Sequence, residues 1–225
     1  MFKIVRPDSF NYQSLDRPLA MLMDVHSEGV DNTWLDKTAA CLSDEIKSIR
    51  PEKGKSFIHI IALGDGEAVG PNKNGDKKNK KANVERHHTF VKCAKVYRNH
   101  KNKSDAGDPH YGEVHSAAHN DKMARVEDIL KVDNEKFAEP LQKLAEGKDI
   151  GFSMGARVPF DVCSICGNEA KNRMEYCNHV KQAMTRFMED GRQIYVDNPS
   201  PTFFDISEVR RPADRIAYSL QKVAS

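Results

Sequence analysis

The sequence predicts an α+β protein built on a mainly antiparallel or mixed sheet, and three observations indicate this class. Short alternating or β-branched segments dominate the middle of the chain, segments with helical spacing lie near both ends and between the strands, and no internal repeat is found. The length of 225 residues is enough to bury a core without disulfides. With 39% hydrophobic and 30% charged residues, the chain lies on the polar side of the globular range.

Two segments carry the clearest strand patterns. Residues 56–63 (SFIHIIAL) are short, β-branched and followed by glycine, as in a buried strand. Residues 150–158 alternate strictly between apolar side chains and small or polar ones, as in a half-buried strand. Further strands are predicted over 94–98, 113–118, 123–132 and 203–209.

Helical spacing is found in four segments. Asn32 is a suitable N-cap for a helix that ends before Pro51. A second helix is predicted over 133–147, and because it is the better helix, the ambiguous segment 123–132 is assigned to a strand. The remaining two helices are predicted over 175–190 and from Pro212 to the end of the chain.

Charge is unevenly distributed. The net charge of +2 argues against a chain that mainly coats DNA or an anionic membrane. Residues 73–103, however, carry a net charge of +9 and leave −7 on the remainder. Residues 64–81, rich in Gly, Asn and Lys, predict a long solvated loop. The basic segment 73–103 is therefore a candidate for contact with nucleic acid or an acidic scaffold, through Lys77, Lys78, Lys80 and Lys81.

The cysteines predict a metal site and not a disulfide framework. The chain has five cysteines, an odd number, and it lacks an apolar run of 18 residues and a signal-peptide pattern. We therefore expect a soluble, intracellular protein with no membrane partner. Cys163 and Cys166 form a CxxC pair followed by glycine, and Cys177 and His179 supply a second half, as in a structural zinc knuckle. Buried free thiols, or another ligand in place of His179, are the alternatives.

Ser153 is the candidate nucleophile. It lies on the polar face of its strand between Gly151 and Gly155, which leave space on that face for another backbone, such as a substrate peptide. A serine hydroxyl needs a base to take its proton and a third group to orient that base. The alternative is an ordinary polar-face serine.

Candidate partners for this serine are numerous. Nine histidines are present, and spacing alone does not choose among them; His100 follows a short strand, whereas His59 lies within a buried one. Asp205 lies among apolar residues, which favours a partly buried carboxylate with a partner. That partner is a histidine or one of Arg210, Arg211 and Arg215.

Several short motifs, taken together, resemble a known family. They are NHKN at 99–102, GEV at 112–114, FSMGARV at 152–158, DVCSICGNEAK at 161–171, EYCNH at 175–179 and FFDIS…RPADRIAY at 203–218, and HIIALGDGEAVGPNKNGD at 59–76 also fits. This combination resembles the prohead (head maturation) proteases of large tailed bacteriophages over most of residues 57–221. The lysines that follow NGD depart from the aromatic residue of the relatives.

The resemblance implies a fold and a division of the chain. The fold would be similar to that of herpesvirus assemblins, with a β-barrel-like sheet surrounded by helices. It would occupy residues 55–221, carry a zinc-knuckle insert at 161–182, and follow an N-terminal helical segment at 1–54.

The resemblance also implies catalytic roles. Ser153 matches the nucleophile and His100 the general base, and Asp205 takes the third position, where herpesvirus relatives use a second histidine. Arg210 and Arg211, with backbone amides, would stabilise the oxyanion. Zinc would be structural, and catalysis would need no cofactor.

The implied function is that of a serine endopeptidase of head maturation. Its substrates would be the scaffold or core protein and the major capsid protein, cleaved inside the prohead in the host cytoplasm, with self-cleavage and a homo-oligomer as further expectations. The residues alone also allow a zinc-knuckle nucleic-acid-binding protein or an HNH-like nuclease. A third interpretation is an inactive prohead core component.

Overall fold

The computed structural model describes residues 4–5, 41–102 and 110–224. Most of the helix predicted over 32–49 lies outside these residues; its described part contains α1, Ser43–Ser48. The other helices of the described chain are α2 Gly66–Val69, α3 Lys80–Arg86, α4 His88–Cys93, α5 Ala138–Ala145 and α6 Asn178–Ala183, with a 3-10 turn at Arg173–Glu175.

Within the described residues, strands contain more of the chain than helices do, and both are present, so the predicted α+β class is confirmed. The strands are β1 Ile4–Val5, β2 Lys55–Gly64, β3 Asp76–Lys77, β4 Lys95–Arg98, β5 Gly112–Asn120, β6 Arg125–Asp133, β7 Gly151–Arg157, β8 Asp161–Cys163, β9 Glu169–Ala170, β10 Phe187–Met188, β11 Val196–Asp197, β12 Thr202–Val209 and β13 Ser219–Ala224. All six predicted strands are present.

The large sheet is mixed and curls into a half-barrel. Its seven strands follow the order β13-β2-β6-β5-β4-β12-β7, and β4 and β12 run parallel while the other neighbours are antiparallel. The two edges approach each other where Gly151 bridges Tyr218 and where the Phe152 N–H donates to the Ala217 carbonyl at 2.8 Å.

The main core lies against one face of this sheet. Phe152 and Ile206 come from its β7–β12 end, Ile60 and Leu130 from its β2–β6 end, and all four are fully buried. The alternation predicted for residues 150–158 is confirmed up to residue 156, because Ile150, Phe152, Met154 and Ala156 pack in this core, whereas Val158 follows the end of β7 and does not belong to it. The opposite face of β7 is left for Ser153.

A second, smaller sheet contains the cysteine-rich insert. Its order is β3-β11-β8-β9, and Cys163, Val180 and Val196 form its buried apolar cluster. The solvated loop predicted over 64–81 is wrong, since this segment contains α2 and β3 and buries Asp65, Gly66, Gly75 and Lys78. Composition misled here because backbone hydrogen bonds, and not apolar side chains, hold the segment in place, for example Gly66 N–H to the Lys78 carbonyl at 2.7 Å.

One predicted helix is wrong, and another is much shorter than predicted. The segment after Pro212 forms a turn in which Asp214 accepts from the Gly64 and Ile216 N–H groups, and it then enters β13, which pairs with β2. The hydrogen bonds that this segment forms with the edge of β2 stabilise a strand more than the helical spacing of its apolar residues stabilises a helix. The helix predicted over 175–190 is present only as α6, because the chain then enters β10, which pairs with β1 and precedes a tight turn at Gly191.

No helix within the described residues is long and apolar enough to cross a membrane.

Asp128 is an acidic residue buried among the apolar residues of the core. It lies on β6 between the core residues Val126 and Leu130, it is 0% exposed, and neither carboxylate oxygen has a hydrogen-bond partner among the described residues. Burial, reinforced by the neighbouring charge of Glu127, holds the pKa of Asp128 well above its usual value of 3.8. The folded protein therefore keeps a proton on Asp128 at pH values where the unfolded chain has released it.

We expect Asp128→Asn to change the pH dependence of stability. Because the folded-state pKa is raised, the contribution of Asp128 to stability falls as the pH rises above 3.8, until the pH exceeds that raised pKa. The amide variant loses this penalty and should gain stability over the wild type at pH 8, with a smaller gain at pH 4. Urea unfolding at the two pH values measures the difference, and an equal change at both would contradict it.

Candidate active site

Three neighbouring strands bring the predicted catalytic residues together. Ser153 on β7 lies directly opposite Ser207 on β12, and Gly155 lies opposite Asp205 in the same register. On the other side of β12 runs β4, and His100 follows its end by two residues. Residues two apart on a strand share a face, so Ser153, Ser207 and Asp205 all project from the face opposite the core.

The Asp205 carboxylate is buried and accepts three hydrogen bonds. It is 0% exposed, and its Oδ2 atom lies 3.3 Å from the His100 Nδ1 atom. Asn102 Nδ2 donates to the same oxygen at 2.6 Å, and Ser207 Oγ donates to Oδ1 at 2.7 Å. The predicted alternatives are thereby resolved, because these partners include a histidine and none of the three arginines. In the neutral tautomer in which Nδ1 donates to the carboxylate, the other ring nitrogen of His100, Nε2, carries the lone pair.

The backbone holds His100 in an unusual conformation. Asn99 and His100 both have positive φ angles, 49° and 55°. Such residues cost on the order of 1–3 kcal/mol each and persist where their surroundings determine the conformation. Here the Asn99 N–H donates to the Glu208 carbonyl at 2.9 Å and the His100 N–H donates to Ser207 Oγ at 3.2 Å. Ser207 thus fixes both the backbone of the base and the carboxylate that orients its ring.

Ser153 and His100 line the same cavity, which has a volume of about 330 Å³. Ser153 is 8% exposed, whereas the His100 side chain is 40% exposed. Within the described residues, the Ser153 hydroxyl makes no hydrogen bond to the His100 ring. Catalytic hydrogen bonds often tighten only when substrate binds, so this arrangement is compatible with proton transfer between the two residues.

The glycines beside Ser153 leave space for other residues of the same protein, and not for a substrate. A Cβ atom at Gly155 would lie 3.0 Å from Asp205 Cβ, and one at Gly151 would lie 2.7 Å from the Pro212 ring. The space that we expected for a substrate backbone is therefore occupied by the buried carboxylate and by the turn after β12. A side chain at position 155 would press against Asp205, which lies directly beside Gly155.

The cavity has a second wall, formed by the small sheet. The large sheet contributes Ser153, Met154, Ala156 and Val158, followed by His100 after β4. The small sheet and its loops contribute Asn72, Asn74, Asp76, Lys78, Asp161, Asn172, Arg173, Tyr176 and Asn198. The cavity thus lies between the candidate catalytic residues and the cysteine-rich insert.

Lys78 was not identified as a site residue from the sequence. It is 7% exposed, it lines the cavity, and no described carboxylate forms an ion pair with its ammonium group. Burial lowers the pKa of Lys78, although Asp76, Asp214 and Asp161 act in the opposite direction. Arg210 and Arg211, by contrast, are exposed and are not among the described residues that line the cavity.

Ser207 and Asn102 were also missed. Both occur in motifs that the sequence contains, and Ser207 stands two residues after Asp205, so strand alternation alone would place it on the same face. Asn102 offers no comparable signal, because its contact with Asp205 spans 103 residues of sequence.

Much of the positive charge in residues 73–103 is neutralised by neighbours. Lys80 pairs with Asp121, and Arg98 pairs with both Glu139 and Glu208. Contact between this segment and nucleic acid stays a prediction, although Lys78 is too buried to contribute to it.

The cysteine-rich insert forms a cluster that can hold a metal ion. The ligand atoms of Cys163, Cys166, Cys177 and His179 all lie within 4.8 Å of one another. Thiolates on a tetrahedral zinc ion, bound at about 2.3 Å, are about 3.8 Å apart, so the cluster has a suitable size. Gly167, with a φ of 69°, forms the turn after the CxxC pair.

The thiols of this cluster differ in their acidity. Burial raises the pKa of Cys163 to about 11. Burial acts in the same direction on Cys177, but the Val180 N–H and the neighbouring thiols and imidazole lower the pKa of Cys177 to about 7. Two or three thiolates and an imidazole are the ligand set that zinc prefers.

Comparison of the chain with models of protein families, with curated proteins and with solved structures finds no match.

Proposed function

We propose that the protein is a serine hydrolase with Ser153 as the nucleophile, His100 as the general base and Asp205 as the orienting acid. The observation that carries this proposal is the hydrogen bond between the buried Asp205 carboxylate and the His100 ring, beside a cavity that Ser153 also lines. A nucleophile, a base and a group that orients the base define such sites by geometry and not by their order in the chain.

The three residues would act in two steps. His100 Nε2 accepts the proton of the Ser153 hydroxyl while Oγ attacks a peptide carbonyl, and the protonated ring then gives this proton to the leaving amine. Water, deprotonated by the same nitrogen, attacks the acyl-enzyme, and the ring then returns this proton to Oγ as the ester bond breaks, which restores the Ser153 hydroxyl. Asp205 stabilises the imidazolium in both steps.

Negative charge develops on the carbonyl oxygen during each attack. The buried ammonium group of Lys78 contributes positive potential to the cavity, which favours such charge. Lys78 suits this role better than the predicted Arg210 and Arg211, because both arginines are exposed to water.

Within this class, we propose a prohead maturation protease that cleaves scaffold and capsid precursor proteins inside a phage prohead. The support is that NHKN, FSMGARV and FFDIS, which suggested the resemblance, supply the three residues that lie together. In this proposal the curled sheet corresponds to the assemblin-like barrel, zinc is the structural metal, and self-cleavage accompanies maturation. A nuclease has less support, because four protein ligands fill a tetrahedral site and leave no position for water.

Replacing Ser153 tests the proposal. We expect discrete fragments when wild-type protein is mixed with the scaffold and capsid proteins of the phage, and none with Ser153→Ala, since loss of this nucleophile costs roughly 10⁶-fold in kcat in serine proteases. Mass spectrometry identifies the fragments. The matched control is Ser56→Ala, which removes a buried hydroxyl of β2 that has no hydrogen-bond partner among the described residues. Equal cleavage by both variants, or chelator-sensitive cutting of DNA, would contradict the proposal.

A further inference from the structure

A continuous series of contacts connects the metal-binding cluster of cysteines with the cavity. Cys177, a member of the cluster, is adjacent in sequence to Tyr176, whose ring packs with the apolar cluster of the small sheet. The Tyr176 hydroxyl donates to the Asp161 carboxylate. Asn198 Nδ2 donates to the other oxygen of Asp161 at 2.7 Å. Tyr176, Asp161 and Asn198 all line the cavity.

This series of contacts extends to Lys78, the buried lysine of the cavity. The Asn198 N–H donates to the Lys77 carbonyl at 2.8 Å, and β11 pairs with β3 immediately before Lys78. Asp161 is also one of the carboxylates that act electrostatically on Lys78. The wall that faces Ser153 and His100 is therefore assembled on the small sheet, in which β8 ends at Cys163 and the turn from β8 to β9 carries Cys166.

We propose that metal binding at Cys163, Cys166, Cys177 and His179 positions this wall, and that Tyr176 and Asp161 are the positioning residues that connect the metal to the cavity. This rests on the proposed peptidase function. Without the Tyr176 hydroxyl, the Asp161 carboxylate loses one of its two donors and is held only by Asn198 Nδ2, so its position in the wall is less well defined. Ser153, His100 and Asp205 stand on the large sheet, and Lys78 follows β3, outside the Tyr176–Asp161 contact. Loss of that contact should therefore weaken substrate binding more than it slows the chemical steps.

The first test compares Tyr176→Phe with Tyr195→Phe. Both variants remove one hydroxyl from the small sheet, but Tyr195 contacts Lys77 and is not among the described residues that line the cavity. For cleavage of the scaffold precursor by full-length, zinc-loaded protein, we expect Tyr176→Phe to raise KM about tenfold and to leave kcat within about twofold. Labelling of Ser153 by a small fluorophosphonate and the zinc content should match the wild type. An unchanged KM, or a parallel loss of labelling, would overturn the proposal.

The second test does not depend on activity. Zinc is added to metal-free full-length protein, and hydrogen–deuterium exchange is followed in segments 72–78 and 196–198 of the wall. We expect zinc to slow exchange there in the wild type and in Tyr195→Phe, and to do so much less in Tyr176→Phe. Protection confined to the insert at 161–182 would overturn the coupling. If the wild type neither cleaves nor labels, the peptidase proposal fails, and the exchange result alone decides the coupling.

Discussion

Asp205→Asn is expected to lower kcat by about 10⁴-fold, the loss seen when the carboxylate of a serine-protease triad becomes an amide. The reason lies in the proton on the His100 ring. A carboxylate accepts from Nδ1 and leaves Nε2 free to take the Ser153 proton, whereas an amide can donate to Nδ1 and so favours the tautomer with its proton on Nε2. Steady-state kinetics on the scaffold precursor would measure the loss.

The control for this variant is Asp197→Asn. Asp197 lies on the small sheet, where its carboxylate is 4.0 Å from the Lys77 ammonium group, and it does not touch His100. We expect its kcat to stay within about threefold of the wild type. Because Asp205 is buried and accepts three hydrogen bonds, melting curves must show that both variants are folded at the assay temperature. A folded Asp205→Asn protein with kcat within tenfold of the wild type would show that Asp205 does not orient the base.

The sequence predicted the large sheet well because its signals are local. The β-branched run of β2 and the alternation of β7 each reflect the faces that a single strand buries. Segments whose structure depends on distant partners were predicted less well. The residues after Pro212 form β13 because the edge of β2, about 160 residues earlier, provides the hydrogen bonds.

The candidate site likewise contains residues with a local sequence signal and residues whose role depends on distant partners. Nothing in the spacing of nine histidines selects His100, since its neighbours are determined by the order β4-β12-β7 and by the parallel pairing of β4 with β12. Only the resemblance to a family pointed to it. Lys78 was hidden for a different reason: a lysine in a Gly- and Asn-rich segment looks solvated, and its burial follows from the packing of α2 and β3.

Loss of the metal is expected to have the largest effect on stability. Structural zinc contributes about 10–16 kcal/mol of apparent binding energy in zinc-finger peptides, so removing one ligand should cost at least about 3 kcal/mol. For a domain of this size, 1 kcal/mol shifts Tm by about 2–4 °C, and Cys166→Ala should therefore melt at least about 6 °C below the wild type. Cys166 suits this experiment because it is exposed, so its replacement removes a ligand and little packing.

The matched control is Cys93→Ala, which changes an exposed cysteine at the end of α4, outside the cluster. We expect this variant to melt like the wild type and, like it, to lose stability when a zinc chelator is added. Cys166→Ala should already lack bound metal, so the chelator should not lower its Tm further. This pattern separates metal binding from the loss of a thiol. If the cysteine acts through the metal, mutation and chelator remove the same contribution to stability, and their effects on Tm do not add. Identical melting of the two variants, with and without chelator, would show that the four side chains do not stabilise the fold through a metal.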